Sequence, residues 1–124
     1  MINEVLLYIG AFLPIVWGIA HLFPTKNVVK GFGNISADNK NIITMEWIIE
    51  GISLIFIGIL IAAVTYIDYS NIISNTIYWL SIIMFNSLSV VSLFTGFKVN
   101  FLPFKLCPII FTGSSLIILF GILL

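Results

Sequence analysis

Residues 42–67 read IITMEWIIEGISLIFIGILIAAVTYI, a run interrupted mainly by Glu46 and Glu50. A helix needs about 20 apolar residues to cross the hydrocarbon core, whereas a barrel strand needs about 9–11 with alternating faces. This run is too long and too evenly apolar to be such a strand. In lipid a backbone must satisfy its own hydrogen bonds, and a helix does so within one segment. Three further runs have the same character: Val5 to Phe23, Ile72 to Phe97, and Phe101 to Leu124. The sequence therefore predicts an all-α, polytopic membrane protein. Its four-transmembrane-helix bundle forms a single membrane domain over residues 1–124, with helices near 5–23, 42–67, 72–97 and 101–124.

Composition agrees. The chain has 124 residues, 60% hydrophobic and 8% charged, against roughly 25% charged in soluble domains. Mean hydropathy is +1.20. A single cysteine, Cys107, excludes an intramolecular disulfide. There is no Arg and the net charge is zero, so nothing basic can track a nucleic-acid backbone. The start, Met1-Ile2-Asn3-Glu4, lacks the basic segment of a cleaved signal peptide, and the first apolar run is expected to be a retained span.

Between the first two runs lies a polar stretch, Thr25 to Asn41, with a turn at Gly31-Phe32-Gly33-Asn34. Ser36 is a candidate N-cap for the second helix, with Asp38 well placed in its first turn. Orientation follows from the lysines. Lys26, Lys30 and Lys40 precede the second run, Lys98 and Lys105 flank the start of the fourth, and the other side has none. The positive-inside rule makes those two loops cytoplasmic and both termini non-cytoplasmic, in a multi-pass protein of the cytoplasmic membrane. Tyr66, Tyr69, Tyr78 and Trp79 are expected to form an outer aromatic belt.

Charged side chains inside hydrocarbon cost about 2.5–3.5 kcal/mol near its centre, so they call for partners or a function. His21, Glu46 and Glu50 are the clear intramembrane cases, with Lys105 nearer the interface. Glu46 and Glu50 share one helix face and Ser53 continues it. His21 shares a face with Trp17, Pro14 and Gly10, while Asn86, Ser89 and Ser92 form a stripe on the third helix. Taking 1.5 Å per residue, Glu46 and Glu50 lie about 6 and 12 Å past Ile42, in the same half as His21 and Lys105. The expected site is a polar intramembrane pocket open to the cytoplasm. Glu50 and His21 would be its acid–base pair, with Glu46, Lys105, Trp17, Asn86 and Ser53 as binding residues. Lys105 would act as counter-ion. Gly51, Gly58 and Ala62 make a small-residue face suited to helix packing, within the chain or between copies.

Burial raises a carboxyl pKa and a nearby cation lowers it, so paired groups can split into acid and base. The leading expectation is binding of a small amphiphilic or lipid-like molecule in the bilayer, with acid–base chemistry on it. Two alternatives stand: a proton-coupled small-solute carrier using Glu50, as a homo-oligomer, and a non-catalytic assembly subunit using the Gly51/Gly58/Ala62 face. His21 with two glutamates suits zinc or iron by ligand type. No metal-binding motif accompanies them, and metal and cofactor stay unassigned.

Gly18-Ile19-Ala20-His21-Leu22-Phe23-Pro24, then Val28-Val29 and Gly31-Phe32-Gly33, resembles the first helix and loop of DoxX-like four-helix membrane proteins. The likeness covers the first third of the chain and the four-span layout. It implies a compact helical bundle in a group of diverse biochemical roles. In residue types alone, one His and two Glu among four spans are also similar to membrane proteins of the sterol-isomerase type, whose polar residues line a lipid pocket.

Overall fold

In the computed structural model, which describes residues 1–124, every regular element is helical. They are α1 (Ile2–Leu22), α2 (Thr25–Lys30), α3 (Ala37–Asp68), α4 (Ile72–Phe94), a 3-10 turn (Gly96–Lys98) and α5 (Leu102–Leu123). α1, α3, α4 and α5 are long and apolar enough to cross a membrane. The chain is an all-α, multi-pass membrane protein built on a four-helix bundle.

Local chemistry explains the boundaries. Ser36 accepts a hydrogen bond from the Asn39 amide at 3.1 Å, capping α3. α3 therefore begins at Ala37, before the apolar run itself starts at Ile42. The preceding polar stretch contains α2, which the turn signals alone do not reveal. α2 follows Pro24 and buries Val29 on one side while Lys26 and Lys30 stay exposed. α4 ends at Phe94, where Thr95 turns its hydroxyl back to the Val91 carbonyl at 2.6 Å. The 3-10 turn then uses Gly96 to redirect the chain.

α1 packs most closely on α3 and α5, and α4 packs on α5. The spatial order is thus α3–α1–α5–α4, and α3 meets α4 sparingly. Side-chain hydrogen bonds between that last pair lie near the 68–71 loop. Ser74 donates to the Asp68 carbonyl at 2.6 Å, and the Thr65 and Tyr78 hydroxyls stand 2.9 Å apart. Thr65 also donates to the Ile61 carbonyl at 2.7 Å, so Tyr78 supplies the proton between the two hydroxyls.

Tyr78 is 1% exposed and belongs to the core with Leu7, Ala11, Leu54, Ile61, Phe85, Phe111 and Ile118. This corrects its assignment to the outer aromatic belt. Its depth suits a belt, but its rotational position on α4 points it inward. Tyr66, by contrast, is fully on the surface.

The small residues of α3 face α1. A Cβ on Gly51 would stand 2.6 Å from Leu22 Cδ2 and 3.1 Å from the Gly18 carbonyl oxygen. One on Gly58 would stand 2.5 Å from the Ala11 carbonyl oxygen and would also collide with Ile15. Glycine permits this close backbone approach. The small face is consumed inside the chain and is not open for assembly. The other side of α3 presents Ile52, Phe56 and Ile59 outward, as a lipid-facing surface should.

Candidate functional site

The last turn of a helix leaves carbonyls without intrahelical partners. At the end of α1 the His21 carbonyl is taken by the Trp47 indole N–H of α3, at 2.7 Å. The same tryptophan stacks on the His21 imidazole, with centroids 3.8 Å apart and planes 15° from parallel. Trp47 thus holds both the backbone and the ring of His21.

The ring contacts continue. Phe104 of α5 meets Trp47 edge-on at 5.6 Å, and Phe101 lies 5.9 Å from Phe104. His21, Trp47, Phe104 and Phe101 form a line of rings from the end of α1 to the start of α5. They border a cavity of about 350 Å³, completed by Trp17, Ala20, Pro24, Val28, Pro103, Leu106 and Cys107. Pro24 and Val28 place α2 and its approach over this space.

On its far edge the imidazole meets Glu50. His21 Nε2 lies 3.4 Å from Glu50 Oε2, a distance longer than a good hydrogen bond. Nε2 is buried and makes no hydrogen bond. The histidine side chain is 8% exposed and the glutamate side chain 45%. The arrangement couples a shielded imidazole to a carboxylate that can still reach water, headgroups or a ligand.

The remaining expected residues separate. Trp17 lines the same cavity. Glu46 shares the stripe with Glu50 but lies one turn nearer the start of α3, exposed and away from His21. Ser53 is also exposed and makes no side-chain hydrogen bond to the site. Lys105 is not the counter-ion expected for the glutamates. Its Nζ donates to the Phe97 carbonyl at 2.9 Å and sits 4.9 Å from the centre of the Phe97 ring. The short 3-10 turn brings that carbonyl within reach of the first turn of α5.

Asn86 is likewise spent elsewhere, donating to the Ser115 hydroxyl at 3.0 Å. One turn on, Ser89 donates to the Pro108 carbonyl at 3.1 Å and meets the Thr112 hydroxyl at 2.7 Å. The polar stripe of α4 therefore ties α4 to α5. No three His, Cys, Asp or Glu side chains converge as a metal site.

The cavity depends on residues that sequence reasoning did not single out: Trp47 as a clamp, and Phe101 and Phe104 as walls. Phe101 and Phe104 carried one usable signal, an i,i+3 aromatic pair beside Pro103 at a helix start. A second cleft, of about 370 Å³, lies at the opposite end beside Asn3, Tyr69, Asn75 and Tyr78. The packed core around Ala11, Phe85 and Phe111 lies between the two. Comparison with known protein families, curated proteins and solved structures finds no match to this chain.

Proposed function

We propose that this membrane protein binds a small amphiphilic or lipid-like molecule in the aromatic cavity, with Glu50 and His21 as an acid–base pair beside it. The reading rests on one observation: the buried, unbonded His21 Nε2 lies 3.4 Å from a half-exposed Glu50 at the wall of a cavity of about 350 Å³. A cavity of this size falls in the range that small-molecule sites occupy, and an apolar lining with few convergent polar groups is their usual character. Glu50 would take or give the proton, His21 would relay it, and Trp47 would fix the imidazole. The DoxX-like resemblance is compatible with this reading and names no ligand.

All five lysines belong to the sequence around this end of the bundle, which supports placing the cavity on the cytoplasmic side and both termini on the other. The carrier alternative needs a route between the two clefts, and the packed core lies across that route.

The test is mass spectrometry of molecules retained by the purified wild type, Val28→Trp and Glu50→Gln. Val28→Trp fills the cavity and should empty it. Glu50→Gln should keep the retained molecule but abolish any conversion of it. A retained profile that is identical in wild type and Val28→Trp would overturn the proposal.

A further inference from the structure

The aromatic character of the cavity sets it apart from the rest of the protein. Elsewhere the helices pack through Leu, Ile and Ala, and lipid-facing surfaces are rich in Ile and Val. Here Trp17, Trp47, Phe101 and Phe104 account for four of the 11 lining residues, and His21 adds a fifth ring. Aromatic rings make up 15% of the whole chain, so the cavity concentrates them. Flat faces pack best against other flat faces or edges, by offset stacking or T-shaped contact. A flexible acyl chain gains no such geometry, and it loses more rotamer freedom on being confined.

Polarity narrows the occupant further. No Asp, Glu, Lys or Arg lines the cavity. The buried Nε2 of His21 has no hydrogen-bond partner, and the nearest carboxylate, that of Glu50, lies just beyond it. A neutral head carrying both a donor and an acceptor satisfies such a site without placing a charge among the rings. We infer that the cavity selects a planar, ring-bearing apolar molecule with a single hydroxyl, in preference to a linear lipid. This rests on the amphiphile-binding reading above and names the substrate class of that same site.

The lone thiol provides the test, because Cys107 lines the cavity and is the chain's only cysteine. The full chain in lipid nanodiscs is alkylated in the presence of 2-naphthol or n-decanol, at equal mole fraction in the bilayer. These alcohols have equal carbon counts and differ in ring content. 2-Naphthol should slow Cys107 labelling at least about threefold relative to n-decanol, the ratio expected from one additional aromatic contact. Phe104→Leu, which keeps bulk and removes a ring, should erase the difference. A Ser87→Cys reporter on a Cys107→Ser background, exposed on α4, should not respond. If n-decanol protects as well as 2-naphthol, the ring preference is overturned and the amphiphile site remains. If neither alcohol protects, the binding reading falls and the inference falls with it. Equal slowing at Ser87→Cys would mean a bilayer effect, and would also overturn it.

Discussion

The two ends of the bundle treat their polar groups in opposite ways. Toward the 68–71 loop, Thr65, Ser74 and Tyr78 are buried and hydrogen-bonded, and Asn3 donates to the Gly121 carbonyl at 3.2 Å. Toward the lysines, His21 Nε2 is buried and unbonded, Glu50 is half-exposed, and a cavity stands open beside them. A buried polar group without a partner costs about 1–3 kcal/mol. A protein that satisfies these groups at one end and leaves one unsatisfied at the other has a stable half and a half available for chemistry.

That contrast can be broken by substitution. The largest effect is expected where α1 and α3 touch. Gly58→Leu should destabilise by about 3 kcal/mol or lose the folded monomer, because overpacking there pushes backbone against backbone. Gly113→Leu is its control, since a Cβ at Gly113 meets nothing within 4 Å. Thermal unfolding and size-exclusion profiles in detergent compare them. Equal behaviour of the two variants would mean that α1 and α3 do not pack as described.

Trp47→Leu comes next. It removes the donor to the His21 carbonyl and the ring stacked on the imidazole, and should cost about 1–3 kcal/mol. Hydrogen exchange should accelerate at the end of α1 and in α2, leaving residues 61–82 unchanged. Uniform acceleration would erase the distinction between the two ends.

Tyr78→Phe should cost less, about 0.6 kcal/mol, as is typical of a hydrogen bond between membrane helices. Thr65 keeps its bond to the Ile61 carbonyl, so only one of its contacts is lost. Chemical unfolding in mixed micelles would measure this loss.

The smallest effect on stability belongs to Glu50→Gln, within about 0.5 kcal/mol as for ordinary surface substitutions. The same unfolding assay provides the sharpest comparison. If Glu50→Gln proves more damaging than Tyr78→Phe, the His21–Glu50 pair is holding the fold together, and the lysine end is structural as well.

What the sequence disclosed follows from how local each signal is. Apolar runs and the Ser36 cap depend on neighbours within a few residues, and they locate the spanning helices and the true start of α3. Glu46 and Glu50 show where such signals stop. Helical period places both on one stripe, but α1 ends at Leu22, beside Gly51, so only Glu50 finds a histidine. Lys105 was misdirected for a similar reason. Depth suggested the glutamates as partners, whereas the 3-10 turn offered a nearer carbonyl at Phe97. Trp47 resembled an interfacial anchor because nothing local indicates which carbonyl its indole will meet.

The mismatch in helix length has a further consequence. α1 has 21 residues and spans about 32 Å, close to the thickness of a bilayer's hydrocarbon layer. α3 has 32 residues, and its first ten, Ala37 to Glu46, rise about 15 Å past the end of α1. The cavity sits at the foot of this overhang, where hydrocarbon gives way to headgroups. Solutes that collect in that layer are delivered to the His21–Glu50 edge by partitioning alone, before any recognition occurs. A thicker bilayer would sink the opening among acyl chains and a thinner one would lift it toward water, so the lipid around the protein sets the concentration its cavity experiences.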